Sequence, residues 1–280
     1  MEKNMKSSEI KASEIKENNN KLNKIPDAKI QTGNISGVNI LYEDNDIIVV
    51  EKPYGISSQT ERGSSQDMVS LLLNYFHQTD LKNTNKKPAK VPYVGVVHRL
   101  DKNVGGVMVY GKNKSSASKL SGQISDRNTT KKYYAIIHNG DRLPAEGTMT
   151  DILIRDGKTN ISRVAGENEK NHPEAKKAEL KYKLVGQAET ECKSDKGMKK
   201  IKLYLADITL ITGRHHQIRV QFSHRGCPLA GDRKYGAEEN RDINFKNIGL
   251  YCYSMTFKHP VTGKQMTFEK KPDNAMFNIF

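Results

Sequence analysis

Strand-like segments outnumber helical ones in this chain and connect mostly as hairpins, which selects an α+β fold over a doubly wound parallel sheet. Ile40-Leu41-Tyr42 and Ile47-Ile48-Val49-Val50 flank the turn-forming acidic tetrad Glu43-Asp44-Asn45-Asp46, and Pro53 and Gly55 end the second run. Val94 to Tyr110 reads as strand, polar motif and strand, and Lys131 to Ile137 as a strand with the aromatic centre Tyr133-Tyr134. Leu250 to His259 and Gln265 to Glu269 form a hairpin around Pro260-Val261-Thr262-Gly263. Further strands are expected over Thr148 to Ile154, Ala178 to Val185 and Ile201 to Ile211. The polar stretches between them, Asp156 to Lys176 and Ala188 to Lys199, read as long exposed loops. Helical periodicity is confined to a few segments. Met68, Leu71, Leu72, Tyr75 and Phe76 make a core stripe on a helix from about Asp67 to Gln78, with Ser64 and Ser65 as caps. A second helix, from about Ser116 to Ser125, uses Ala117, Leu120 and Ile124.

The 280 residues suffice for one large domain or two small ones. Residues 1 to 37, rich in Lys, Glu, Asn and Ser, cannot bury enough to hold themselves in place and read as a disordered or weakly helical charged tail. Residues 38 to 280 read as the folded domain. A net charge of +14 implies a polyanionic partner, because binding one relieves self-repulsion and releases counterions. A generally basic protein is the plainer reading of the charge alone. Cys192, Cys227 and Cys252 are far apart and form no CxxC pair, which argues against a disulfide framework and a structural zinc site. No apolar run approaches the ~20 residues that span a bilayer, and the N-terminus lacks a secretory pattern. The chain reads as cytoplasmic, with no membrane partner.

Two segments carry the chemistry. His98-Arg99-Leu100-Asp101 sets one carboxylate beside a cation, before the turn-permitting Gly105-Gly106. Nearby cations keep such a carboxylate ionised, as a nucleophile or base requires. An Asp–Arg salt bridge holding a loop explains the same residues. The second segment, Gly213-Arg214-His215-His216-Gln217-Ile218-Arg219, concentrates cations and an amide, and Gly231-Asp232-Arg233-Lys234-Tyr235-Gly236 follows it. Thr212 can cap a helix there, whose N-terminal amides with Arg214 would favour phosphate. Arg219, among apolar neighbours, can enter a pocket and hold a carboxylate or phosphate in its fork. The adjacent histidines lack a complete metal-ligand set. Tyr133 could stack on an extruded base, or simply be a half-buried strand tyrosine.

These motifs occur in a telling order. Leu41-Tyr42-Glu43-Asp44 through Lys52-Pro53, His98 to Asp101, Lys131-Lys132-Tyr133-Tyr134-Ala135, Thr212 to Arg219, Gly231-Asp232 to Tyr235-Gly236, and Leu250 with Phe257-Lys258-His259-Pro260 follow one another. Together they closely resemble an RluA-type RNA pseudouridine synthase over residues 38 to about 272. The resemblance implies that Asp101 is the catalytic aspartate, acting at the ribose C1′/C2′ region while the uracil is detached, turned and rejoined through C5. Tyr133 then stacks on the uracil and takes part in removing the C5 proton, Arg219 pairs with Asp101, and Leu250 packs near the base. Arg99 fills the gap left by the flipped nucleotide, while His98, Arg214, His216 and Gln217 support the substrate. The sequence departs from the family at Val104-Gly105 in place of Thr-Ser, at His215 in place of Thr, and at Tyr251-Cys252 in place of His-Ala. The first departure removes two hydroxyls that could brace the Asp101 loop. No small RNA-binding domain of the kind many relatives carry fits residues 1 to 37.

The resulting expectation is a pseudouridine synthase fold: a bent, mainly antiparallel mixed sheet flanked by helices, with a central active-site cleft. The implied partner is structured RNA, ribosomal or transfer, with no cofactor, no nucleotide cofactor and no metal; monomer is the default state. The alternative is a non-catalytic RNA-binding or RNA-folding protein on the same scaffold. A glycosidic hydrolase would want a second carboxylate, and Asp232, the one acid of the second cluster, reads as a structural turn residue.

Overall fold

The strand-like runs of the chain come together in a single sheet of twelve strands among the described residues. A computed structural model describes residues 34–35, 37–60, 66–84, 91–194, 197–243 and 245–280. The strands are β1 (Asn34–Ile35), β2 (Val38–Glu43), β3 (Ile47–Lys52), β4 (Gly95–Val96), β5 (Gly105–Gly111), β6 (Thr130–His138), β7 (Glu146–Asp156), β8 (Ile161–Val164), β9 (Lys176–Ser194), β10 (Gly197–Leu210), β11 (Leu250–Lys258) and β12 (Gln265–Glu269). The helices are α1 (Met68–Thr84), α2 (Lys114–Ser125) and α3 (Gln217–His224). The sheet runs β1-β2-β3-β5-β11-β6-β10-β9-β7-β8, with β12 paired to β11 and β4 to β5. Among the described residues, every strand pair but one is antiparallel. β11 and β5 run parallel, with Tyr251 opposite Gly105 and Cys252 opposite Gly106. The expected α+β class holds.

Local chemistry explains most elements. Asp44 Oδ1 accepts the amides of Asp46 and Ile47, both at 2.8 Å, which builds the expected acidic turn between β2 and β3. β3 and β5 lie at the centre of the sheet and are buried along almost their whole length, as continuous apolar runs covered on both faces should be. The stripe of α1 is confirmed: Met68, Leu71, Leu72 and Phe76 are buried in the main core with Ile48, Val50 and Met108.

Several expectations change. Ser64 and Ser65 lie outside the described residues, and α1 is instead capped by Asp67. Its Oδ1 accepts the Ser70 amide at 2.8 Å while Ser70 Oγ takes the Asp67 amide at 3.1 Å. Of the tail expected over residues 1–37, only 34–35 and 37 are described, and Asn34–Ile35 already pairs with β2. Within the expected loop Ala188 to Lys199, the described residues 188–194 and 197–199 belong to the β9–β10 ribbon, where Lys200 lies opposite Glu191 and Lys202 opposite Glu189. Asp156 to Lys176 contains β8, paired to β7. Both stretches carry mostly exposed polar residues, so they show no apolar period, and cross-strand pairs hold them instead. No helix among the described residues is long and apolar enough to cross a membrane.

Candidate active site

The β5–β11–β6 centre of the sheet and the helix α3 bring the separated motifs together. Asp101 stands in the turn before β5. Ser58 Oγ bonds both backbone groups of Leu100, at 2.8 and 3.0 Å, and the Val104 amide reaches Asp101 O at 3.0 Å. The Gly55 amide holds Lys102 O at 2.8 Å. Val104 is buried, and Gly105 lies under the rings of Tyr54 and Tyr251. Packing and main-chain bonds therefore brace the loop that lacks the two hydroxyls.

One oxygen of the half-exposed Asp101 meets Arg219, whose Nη1 donates to Oδ2 at 2.7 Å. The rest of that guanidinium is clamped by buried Asp232, with Nε to Oδ2 at 2.7 Å and Nη2 to Oδ1 at 2.9 Å. Burial opposes the Arg219 charge, but Asp232 and then Asp101 outweigh it and hold its pKa above the ordinary value. Asp232 Oδ1 also accepts the amides of Lys234 and Tyr235, which makes it both a turn residue and the anchor of Arg219. Its turn role follows from the Gly-Asp sequence; its ion pair has no local signal.

A chain of hydrogen bonds sets His216. The Ser162 amide donates to Tyr235 Oη at 2.8 Å, so the Tyr235 hydroxyl can donate to His216 Nδ1, also at 2.8 Å. The ring proton of neutral His216 then lies on Nε2, 3.5 Å from Asp101 Oδ2. His215 stacks on His216 with centroids 3.7 Å apart, and its Nδ1 meets the Ser162 hydroxyl at 2.8 Å. Burial first, and then cationic neighbours, lower both histidines to about 4 and keep them neutral. With both Nδ1 atoms engaged, the pair is a poor metal ligand set. One group of three potential ligands, Asp44, Asp46 and His259, lies elsewhere among the described residues, and its members are bonded to each other or to Tyr42, Asn113 and Ser116.

Tyr133 and Leu250 come from adjacent strands. Leu250 is buried opposite Ala135, and Tyr133 is buried opposite Cys252. Burial, then Cys252 and Asp101, raise the Tyr133 phenol well above its ordinary pKa and hold it protonated. Lys52 completes the surroundings of Asp101. Its fully buried Nζ donates to Pro53 O at 2.9 Å, Ile56 O at 2.6 Å and Lys102 O at 3.3 Å. Burial pulls its pKa down to about 7, while the Asp101 charge pulls the other way. Lys52, Asp232, Tyr235 and Ser162 were not singled out as site residues from sequence.

Not all expected residues face this point. His98 is buried and its Nε2 accepts the Val109 amide at 3.2 Å, so it braces β5 rather than presenting itself to a substrate. Gln217 is buried too, bonded to Thr212 Oγ1, the Arg214 amide, Glu179 O and Gln221. The Thr212 hydroxyl donates to Gln217 Oε1 and accepts the Glu179 amide at 2.8 Å, so it does not cap α3, which begins at Gln217 after His216 in the left-handed region, φ 53°. Arg214 Nε donates to Lys177 O at 2.9 Å, and Arg99 is exposed.

Comparison with known proteins accords with this arrangement. A family model described as RNA pseudouridylate synthase matches residues 46–224. An uncharacterized RNA pseudouridine synthase of Aquifex aeolicus is 32% identical over 250 residues, covering 87% of this chain and 72% of the relative. Ribosomal large subunit pseudouridine synthase C of Buchnera aphidicola is 31% identical over 236 residues, covering 81% of this chain and 65% of that protein. The structure of human RNA Pseudouridylate Synthase Domain Containing 1 superposes with a TM-score of 0.62 at 19% identity, covering 86% of this chain and 85% of the human one.

Proposed function

Because the chain belongs to the RNA pseudouridylate synthase family, of the RluA type, we propose that Asp101 is the carboxylate with which it isomerises uridine in structured RNA. The observation that carries this is the Arg219 bridge: one guanidinium is fixed by buried Asp232 and offers its remaining Nη1 to the half-exposed Asp101. Such a carboxylate is held in one direction, with one oxygen left for the ribose. The target base must first leave its stack, because C1′ and C5 cannot be reached inside one.

In the reaction the N1–C1′ bond breaks, the uracil turns, a C5–C1′ bond forms, C5 gives up its proton and N1 takes one up, so the product is an isomer of the substrate. Leu250 and the Tyr133 ring support the turned base. A protonated phenol can accept the C5 proton only by giving up its own, and Asp101 is the carboxylate acting on it. The catalytic domain we propose is residues 38–280, and the compartment the cytoplasm, supported by three free cysteines. A ribosomal target has the support of relatives named for the large subunit, with transfer RNA as the other candidate. The braced Val104-Gly105 loop removes the reason to favour a non-catalytic protein on this scaffold.

The test is carbodiimide mapping of pseudouridine in RNA treated with wild type and with Asp101→Asn. The variant is expected to fold and bind RNA while forming no product. Pseudouridine made by the variant at the normal rate removes Asp101 from the chemistry, and a wild type that binds RNA yet modifies none removes the activity.

A further inference from the structure

Beside the Asp101–Arg219 pair stand two cations that form no ion pair among the described residues. Arg155, near the end of β7, is directly opposite Ser162 of β8. Opposed residues of an antiparallel pair point to the same face, with Cβ atoms about 5 Å apart. On that face the Ser162 hydroxyl bonds His215 Nδ1 at 2.8 Å, which places Arg155 beside His215. The turn residue Asn160 then ties the second cation to the first. Its Oδ1 accepts Arg155 Nη2 at 2.9 Å, and its main-chain oxygen accepts Lys234 Nζ at 3.0 Å. Arg155 and Lys234 are both exposed, and among the described residues neither forms an ion pair. Asp156, the acid of the same turn, is engaged by the amides of Lys158 and Thr159 and by the Thr159 hydroxyl.

His215 itself offers a donor. The Ser162 hydroxyl can donate to Nδ1, and the proton of the neutral ring then lies on Nε2. Arg155, Arg219 and Lys234 all act on this ring, and Asp101 is the carboxylate that opposes them. A cationic corner with open donors, set next to the proposed reacting carboxylate, suits an oxyanion held by several N–H groups.

We propose that Arg155, Lys234 and the Nε2–H of His215 form a subsite for one phosphate of the RNA backbone, adjacent to the nucleotide held at Asp101. The proposal rests on the RNA-modifying reading above. It names the group that fixes the strand's register while the base is out of its stack.

The full-length protein, R155A, K234A, the double variant and K264A are titrated with unmodified, in vitro-transcribed large-subunit ribosomal RNA over a series of salt concentrations. Lys264 lies on the exposed turn between β11 and β12 and serves as the comparison. Each single variant is expected to bind about tenfold more weakly, with the slope of log affinity against log salt reduced by about one. The double variant should lose little more than either single one, because both cations hold the same phosphate, and K264A should stay within about twofold of wild type. Inorganic phosphate is expected to shift the His215 imidazole resonances of wild type and to leave those of the double variant in place. Variant affinities within about twofold of wild type, additive losses with a slope change near two, or an unresponsive His215 overturn the subsite. Pseudouridine formation by wild type on the same RNA is scored separately. Its absence counts against the premise, whereas product formation with unaltered variant binding counts against the subsite alone.

Discussion

Arg219 serves two carboxylates with one guanidinium, and that asymmetry sets the behaviour of the site. Asp232 takes two of the N–H groups from a fully enclosed position, and Asp101 takes one at the edge of solvent. Asp232 is therefore a positioning residue for the reaction, although it need not touch the RNA. Asp232→Asn keeps the shape and an acceptor for the turn amides but removes the charge that faces buried Arg219. Breaking a buried pair from one side costs about 3 kcal/mol, and the urea midpoint should fall accordingly. Turnover should drop as well, since the guanidinium is no longer held for Asp101. An Asp232→Asn protein with the wild-type urea midpoint would show that the clamp contributes nothing.

The β5–β11 pairing is the one parallel strand pair among the described residues, and it lies directly after the Asp101 turn. Its closeness depends on Gly106, which has φ +127°, and whose missing Cβ would lie 2.3 Å from Cys252 O. No side chain fits there without separating the strands that carry Asp101 and Leu250. Gly106→Ala should destabilise the fold by about 2–4 kcal/mol through strain and overpacking together. Gly122 in α2 is the internal control, because a Cβ there meets nothing within 4 Å. Gly122→Ala should instead stabilise by about 0.5–1 kcal/mol, as a helix glycine exchanged for alanine does. Chemical denaturation of the two variants checks both signs, and equal shifts in one direction would refute the account of Gly106.

Over the whole molecule, the histidines govern how acid acts on it. Burial lowers the pKa of His98, His138, His215 and His216, in each case as the largest cause, so the native state resists protonating them. The unfolded chain takes up those protons near the ordinary value of about 6.5. Between there and about 4, where His215 and His216 titrate in the folded protein, the unfolded state binds more protons and stability falls as pH falls. The carboxylates of Asp44 and Asp67, held below their ordinary pKa by hydrogen bonds that outweigh burial, are lost as supports only at lower pH. The urea midpoint should thus decline from about pH 6.5 toward 4. His215→Ala should flatten that decline; an unchanged slope would mean that His215 does not titrate as its surroundings dictate.

Sequence by itself determined the parts that depend on near neighbours and residue type. The acidic β2–β3 turn, the α1 stripe and the β11–β12 hairpin were legible, because turn chemistry and periodicity are local, whereas Asp101, Tyr133, Arg219 and Leu250 were grouped only by the resemblance of the ordered motifs to a family. The polar β9–β10 ribbon was not legible, since strands without a buried face carry no apolar alternation. Only tertiary structure brings the distant charges into contact, including the Arg219–Asp101 pair that the family resemblance implied. Arg219 reaches Asp101 across 118 residues, and the start of α3 depends on where Thr212 and Gln217 place their polar groups. It also decided that His98 and Gln217 are braces, that Asp232 holds Arg219, and that Ser162 and Tyr235 orient two histidines. Such pairings are set by packing between distant segments, where burial makes each polar group find a partner that its own neighbours in the chain cannot specify.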